Sequence, residues 1–254
     1  MSAVFAGATL MAACGQEAPT PKGPSPSTTE ATTLQSATAA QPSPSAAPAS
    51  PASPAPDADG VVTLFDGSSM DGWTGDRAGW SIESGALACG PQGRDIYAPG
   101  EWDDFELTLE FRLTPGANNG IAVRAPGTGD AAYEGMEIQV LDDGHAKYQG
   151  WLKDWQRHGS VYGIAASRGS TAALRPAGEW NQQSVVLDGR KVNVRLNDTV
   201  ILDADLDHAM AGGTQSGNSH PGASRRAGRI GFLGHGDRVE YRNVRVRPLH
   251  AKGR

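Results

Sequence analysis

From Val61 onward, apolar and polar residues alternate in short runs broken by Gly, Asn, Asp and Pro. The clearest run is Phe105–Leu113, which keeps strict period two over nine residues. A strand sends successive side chains to opposite faces, so Phe105, Leu107, Leu109, Phe111 and Leu113 make one apolar face. Residues 120–125 and Met136–Leu141 repeat the pattern. Trp80–Glu83 turns at Ser84-Gly85 into Ala86–Cys89, and residues 180–187 and Lys191–Leu196 flank Asp188-Gly189, a tight hairpin signal. Residues 199–204 follow an Asn197-Asp198 turn, and 229–233 and 238–247 complete the series. Helical periodicity is confined to a turn or two near residues 205–210. Many short strands with regular turns predict an all-β fold, a two-sheet antiparallel jelly-roll sandwich.

Composition divides the chain of 254 residues. Residues 1–59 hold ten of the 17 prolines and are otherwise mostly Ala, Ser and Thr. Such a segment buries too little apolar surface to offset its ordering entropy. The apolar run from Ala3 is too short to span a bilayer and ends in Leu10-Met11-Ala12-Ala13-Cys14-Gly15, which resembles a lipobox. No Lys or Arg precedes that run. The expected organisation is a lipoprotein signal over residues 1–14 with Cys14 lipidated, a disordered tether over 15–59, and a folded domain over 60–250. The expected location is the cell envelope, held to a membrane through lipid. Gly15 is not an inner-membrane retention signal, which points to the outer membrane.

Charge narrows the partners. Residues 1–59 carry four acids and one base, which leaves 24 acids against 21 bases for the rest. That balance argues against nucleic acid and leaves a neutral sugar open. There are two cysteines. With Cys14 lipidated, Cys89 has no disulfide partner and reads as a small buried apolar residue.

The polar faces of the strands hold the candidate chemistry. Glu106, Thr108, Glu110 and Arg112 oppose the apolar face of 105–113. Glu137 and Gln139 oppose Met136, Ile138 and Val140, and a bulge would return Asp142 to their side. Ala122 and Arg124 oppose Ile121 and Val123. If these strands are neighbours, Glu110, Arg124, Glu137 and Gln139 share one face, with Glu106 and Arg112 simply solvated. Loops rich in Tyr, Trp and His would roof it, as a sugar site needs. The spacing Glu137-x-Gln139-x-x-Asp142 is distantly similar to the Glu-x-Asp-x-x-Glu strand of laminarinase-type glycosidases.

A series of segments, in order, resembles the 3-keto-disaccharide hydrolase domain family. They are Leu64-Phe65-Asp66-Gly67 to Gly72-Trp73, Phe111-Arg112-Leu113 through Asn118-Asn119-Gly120-Ile121 to Arg124, and Gly135-Met136-Glu137-Ile138-Gln139 with Asp142-Asp143. Gly159-Ser160-Val161-Tyr162-Gly163, Gly178-Glu179-Trp180-Asn181, His220-Pro221-Gly222, Gly228-Arg229-Ile230-Gly231 and His235-Gly236 with Glu240-Tyr241-Arg242-Asn243 follow. Leu233 departs from the family, which commonly has Gln there.

The resemblance implies a concanavalin A- and laminarinase-like jelly roll acting on glycosides whose C3 hydroxyl is oxidised to a ketone. The ketone acidifies the C2 hydrogen. A base removes it, the C1 oxygen leaves, and water adds, giving net hydrolysis. Glu137 is the expected base, with Asp142 or Glu110 as partner. His235, between Gly234 and Gly236, is an acid, a base or a metal ligand. Arg124 would clamp the substrate or pair with Glu137. Gln139 and Asn119 would bind substrate, and Tyr162 would either bond a hydroxyl or fill the core. Trp151 and Trp155 would stack on sugar rings, Trp73 and Trp180 belong to the core, and His220 anchors a loop. A divalent metal held by Glu137, His235 and a third oxygen would polarise the ketone, though no ligand motif assigns one. Two rival readings are a non-catalytic carbohydrate-binding module and a two-carboxylate retaining glycosidase.

Overall fold

The computed structural model describes residues 54–250. The Cys14 lipidation site and residues 1–53, with most of the expected tether, lie outside the described residues. Within them, two antiparallel sheets pack face to face.

The larger sheet has eight strands. Its path runs β11 (Thr199–Asp205), β10 (Lys191–Leu196), β9 (Trp180–Asp188), β6 (Phe105–Leu113), β13 (Val239–Pro248), β4 (Ala86–Cys89) and β3 (Trp80–Glu83). The eighth, β1 (Val62–Phe65), pairs with the second half of β13, on the flank whose first half takes β4. The smaller sheet has five strands, ordered β2 (Thr74–Gly75), β5 (Ile96–Tyr97), β12 (Arg229–Gly234), β7 (Asn118–Ala125) and β8 (Met136–Leu141). This is the sandwich that alternation predicts. The Asp188-Gly189 hairpin joins β9 to β10 in register, and a short helix, Leu206–Met210, falls where helical periodicity appeared.

Alternation explains the core. Phe105, Leu107, Leu109, Phe111 and Leu113 of β6 are all buried, as are Met136, Ile138 and Val140 of β8 and Ile121 and Val123 of β7. Removing this apolar surface from water drives the sheets together, at roughly 25 cal/mol per Å². Trp73 stacks on Phe232 and Trp80 packs against it at a tilt, and Phe232 itself stacks on Tyr241 at 3.8 Å. Cys89 is buried, and its thiol is pushed up to about 11 by that burial.

The two sheets have different outer faces. That of the larger sheet is laced with ion pairs: Arg247 with Glu106, Arg112 with Glu240, and Arg242 with Glu110. Trp180 is not in the core as expected. It lies on this face, with the guanidinium of Arg242 4.0 Å and that of Arg112 4.8 Å from its ring. The outer face of the smaller sheet is covered by loops and by a short helix, Ala131–Glu134.

Candidate active site

The site lies on that covered face of the smaller sheet, where the register sets residues from several strands into rows. Glu137 on β8 pairs with Ala122 on β7, Ala122 with Gly231 on β12, and Gly231 with Tyr97 on β5. The next row runs Gln139, Gly120, Leu233. The floor is therefore mostly small. Tyr97, Ala122, Ala125, Ala131 and Leu233 form a minor apolar cluster of their own on this face.

Glu137 and His235 meet over this floor. His235 follows β12, and its Nε2 lies 3.3 Å from Glu137 Oε1. The carboxylate reaches it by lying across Gly120, where any Cβ would land on Glu137 Oε1. A strand glycine is otherwise destabilising, so close approach is what it provides here. Glu137 is 3% exposed and the His235 side chain 39%, so the imidazole covers the acid and faces outward. The contact with Glu137 raises the proton affinity of His235 above its usual value, against burial, and Asp95 and Asp237 add to the rise.

The β8 edge is continued by residues 159–162. Gly159 N–H donates to Gln139 O, Gln139 N–H to Ser160 O, and Tyr162 N–H to Glu137 O. Val161 points into the core, so Tyr162 stands beside Glu137 on the outer side, half-buried. Trp155 packs edge-on against Tyr162, with ring centroids 5.0 Å apart. Trp151 is 54% exposed. Its Nε1–H donates to Lys147 O and its ring leans on Tyr148. Lys147 in turn pairs with Asp237, which adjoins His235 in sequence and charge.

Other expected site residues are elsewhere. Glu110 belongs to the larger sheet and is held on its outer face by Arg242 and Asn243. Neighbouring polar faces in sequence turned out to be on opposite sides of the sandwich. Arg124 is fully buried away from Glu137. A bulge opposite Arg229–Gly231 interrupts the alternation, and Arg124 takes φ 48°. Its guanidinium binds Asp104 Oδ1, Asp103 O and Gly189 O, tying one end of the sandwich together. Asn119 faces the core, accepting from Tyr241 Oη–H at 2.6 Å. Asp142 accepts from Gly116 N–H and caps a turn. Gln139 is on the right face, but its Nε2 donates to Asn118 Oδ1 and Asn119 O. His220 is buried against Tyr133 with its Nε2 near Ser216 Oγ, which fits a loop anchor.

Two residues lacked any motif. Asp95 precedes β5 and faces the site from the side opposite Glu137. His158 is fully buried: its Nδ1 accepts from Leu141 N–H and its Nε2 bonds Gln183 Oε1, and burial lowers its pKa to about 4. It fastens the 142–158 loop rather than reaching Glu137 and His235. As for metal, the cluster of three close ligand atoms among the described residues is Asp104, Asp188 and His250. It is not at Glu137–His235, and Asp104 there already accepts from Arg124 and Gly189 N–H.

Comparison with known proteins adds relatives. Residues 60–247 match the model of the 3-keto-alpha-glucoside-1,2-lyase-like domain. A 3-keto-disaccharide hydrolase from Bacteroides thetaiotaomicron is 28% identical over 233 residues, covering 76% of this chain and 80% of that protein. Two crystal structures from Parabacteroides distasonis, both described as candidate glycosyl hydrolases, superpose with a TM-score of 0.65. One is 27% identical and covers 74% of this chain and 99% of its own. The other is 24% identical, covers 76% and 95%, and speaks for the fold alone.

Proposed function

The chain belongs to the 3-keto-alpha-glucoside-1,2-lyase-like family, and from that premise we propose that it is an enzyme cleaving 3-keto-glycosides at the C1–oxygen bond. The observation that carries this reading is the Glu137–His235 pair on a small-residue floor. A C3 ketone makes the C2 hydrogen acidic, so cleavage needs a base at C2 and a donor for the enolate oxygen.

His235 is the base in this reading, and Glu137, expected as the base, becomes its positioning partner. Glu137 is too enclosed to reach a substrate, whereas His235 is open. Glu137 accepts the Nε2–H, fixing the tautomer that leaves Nδ1 free, and its charge favours the imidazolium that forms. Tyr162, whose phenol is kept protonated by burial, supplies a hydrogen bond to the ketone oxygen. Trp151 and Trp155 offer ring faces and edges to the sugar and its aglycone.

The rival readings fit less well. A binding module gains little from an enclosed carboxylate held against an imidazole. A retaining glycosidase needs two carboxyls about 5–5.5 Å apart. Glu137 and Asp142 are five residues apart along an extended segment, roughly 16 Å, and Asp142 is bound to the Gly116 turn.

The envelope location is part of the proposal. Ala13-Cys14-Gly15 and the Pro-rich segment after it support a lipid-anchored protein.

The test is incubation of a 3-keto-glucoside and its unoxidised parent in D₂O. The oxidised sugar should be cleaved and should gain deuterium at C2, and His235→Ala should abolish both. Equal cleavage of the parent with the C2 hydrogen retained would move the case to the two-carboxylate glycosidase.

A further inference from the structure

We propose that Asp95 is the acid that protonates the departing glycosidic oxygen, and then the base that activates the water replacing it. This rests on the reading above and completes it, since that reading leaves the leaving group without a proton donor.

The placement follows from register. Tyr97 pairs with Gly231 and Ile96 with Phe232, so the next position along is Asp95 against Leu233. Ile96 is in the core. Asp95 and Tyr97 therefore face the same side as Leu233, Gly120 and Glu137. Two strand spacings, about 10 Å, separate the backbone of Asp95 from that of Gly120, over which the Glu137 carboxylate lies. His235 emerges between them. It thus has Glu137 bonded on one side and Asp95 on the other, and His235 and Asp95 each feel the other's charge. A sugar lying across the floor would have its C2 at His235 and its C1 oxygen toward Asp95.

Other carboxylates around the site already have tasks. Asp237 accepts from Asn118 N–H and pairs with Lys147. Asp130 caps the Ala131–Glu134 helix through Ala132 N–H. Asp142 holds the Gly116 turn. Asp95 is half-buried, with the Gly234 amide as its backbone partner. Burial raises its pKa, and Asp130 adds to the rise, while His235, Arg94 and the Gly234 amide oppose it. Burial and the neighbouring imidazole thus act on this carboxyl in opposite senses, and the assignment rests on its place across the floor from Glu137.

The step balances. His235 Nδ1 takes the C2 proton, and the C–H pair becomes the enolate. The enolate collapses, the C1–O1 bond breaks with its electrons going to O1, and O1 takes the Asp95 proton. In the return half, Asp95 carboxylate takes a proton from water as the water oxygen bonds to C1, and the imidazolium gives its proton to C2. Both residues end as they began, and one water is consumed.

The experiment compares wild type with Asp95→Asn on two 3-keto-glucosides, one with an alkyl and one with a nitrophenyl leaving group, in D₂O. Asp95→Asn should lose about 10²-fold or more in kcat on the alkyl glycoside. It should lose far less on the nitrophenyl glycoside, whose phenolate leaves unprotonated. It should still exchange the C2 hydrogen of the alkyl substrate, which also shows that the variant is folded and binds. Equal losses on both substrates, or no loss on either, would overturn the assignment while leaving the elimination reading intact. A wild type that neither exchanges C2 nor cleaves would overturn both.

Discussion

At His235 the hydrogen bond to Glu137 raises proton affinity, and burial partly opposes it. If neutral His235 takes the C2 proton, kcat/KM climbs with pH along a limb set by that raised value, above 6.5. Glu137→Gln removes the largest cause of the rise and keeps the burial, with only Asp95 and Asp237 still favouring the charged ring. The limb should therefore move to lower pH, and the plateau should fall about 10²-fold. A limb that stays in place would assign it to another group. The same linkage has a stability side. The Glu137–His235 pair contributes fully below the ordinary imidazole value and is lost as pH rises through the raised one. Much of this was legible residue by residue: alternation placed Glu137 and Gln139 on one face, and flanking glycines marked His235. Asn119, which the family resemblance drew toward the site, shares its parity with the core residues Ile121 and Val123 and faces the core. Nothing in the pattern could reveal Asp95, which precedes a two-residue strand with no periodicity to read.

Between elements, register does what composition cannot show. Glu137 and His235 are 98 residues apart in sequence, and they meet because β7 lies between β8 and β12 and supplies a glycine at the crossing. Gly120→Ala should push the Glu137 carboxylate off His235 and cost most of the turnover on a 3-keto-glucoside. The core side of β7 would be untouched, so thermal unfolding should shift by only a few degrees. Full activity in Gly120→Ala would show that the pair is not needed. The longer strands were readable from period two, down to the Asp188-Gly189 hairpin, whereas the short β1, β2 and β5 were not among the runs it marked. Sheet membership was not readable. The period of β6 matches that of β8 equally well whether the strands are neighbours or face each other across a core, and this is why Glu110 was expected beside Glu137. The bulge that turns Arg124 inward is likewise a matter of strand pairing, invisible to a count of alternating residues.

For the whole molecule, the proposed anchor gives a direct check. Cys14→Ser should move the protein from the membrane to the soluble fraction with its activity per molecule unchanged, since the proposed site lies wholly within the described domain. Membrane association that survives the substitution would remove the lipid from the account. One further consequence comes from the strand order. The last two strands, β12 and β13, sit inside the sheets rather than at their edges: β12 lies between β5 and β7, and β13 between β6 and the β4–β1 flank. Until residues 229–248 have been synthesised, the smaller sheet is two separate pieces and the larger three, with no strand to join them, and Glu137 has no His235 to meet. A nascent chain stalled before residue 229 should be cut readily by protease along its whole length. For the envelope location proposed above, late closure of the sandwich would leave time to thread the chain through a narrow export channel before it folds.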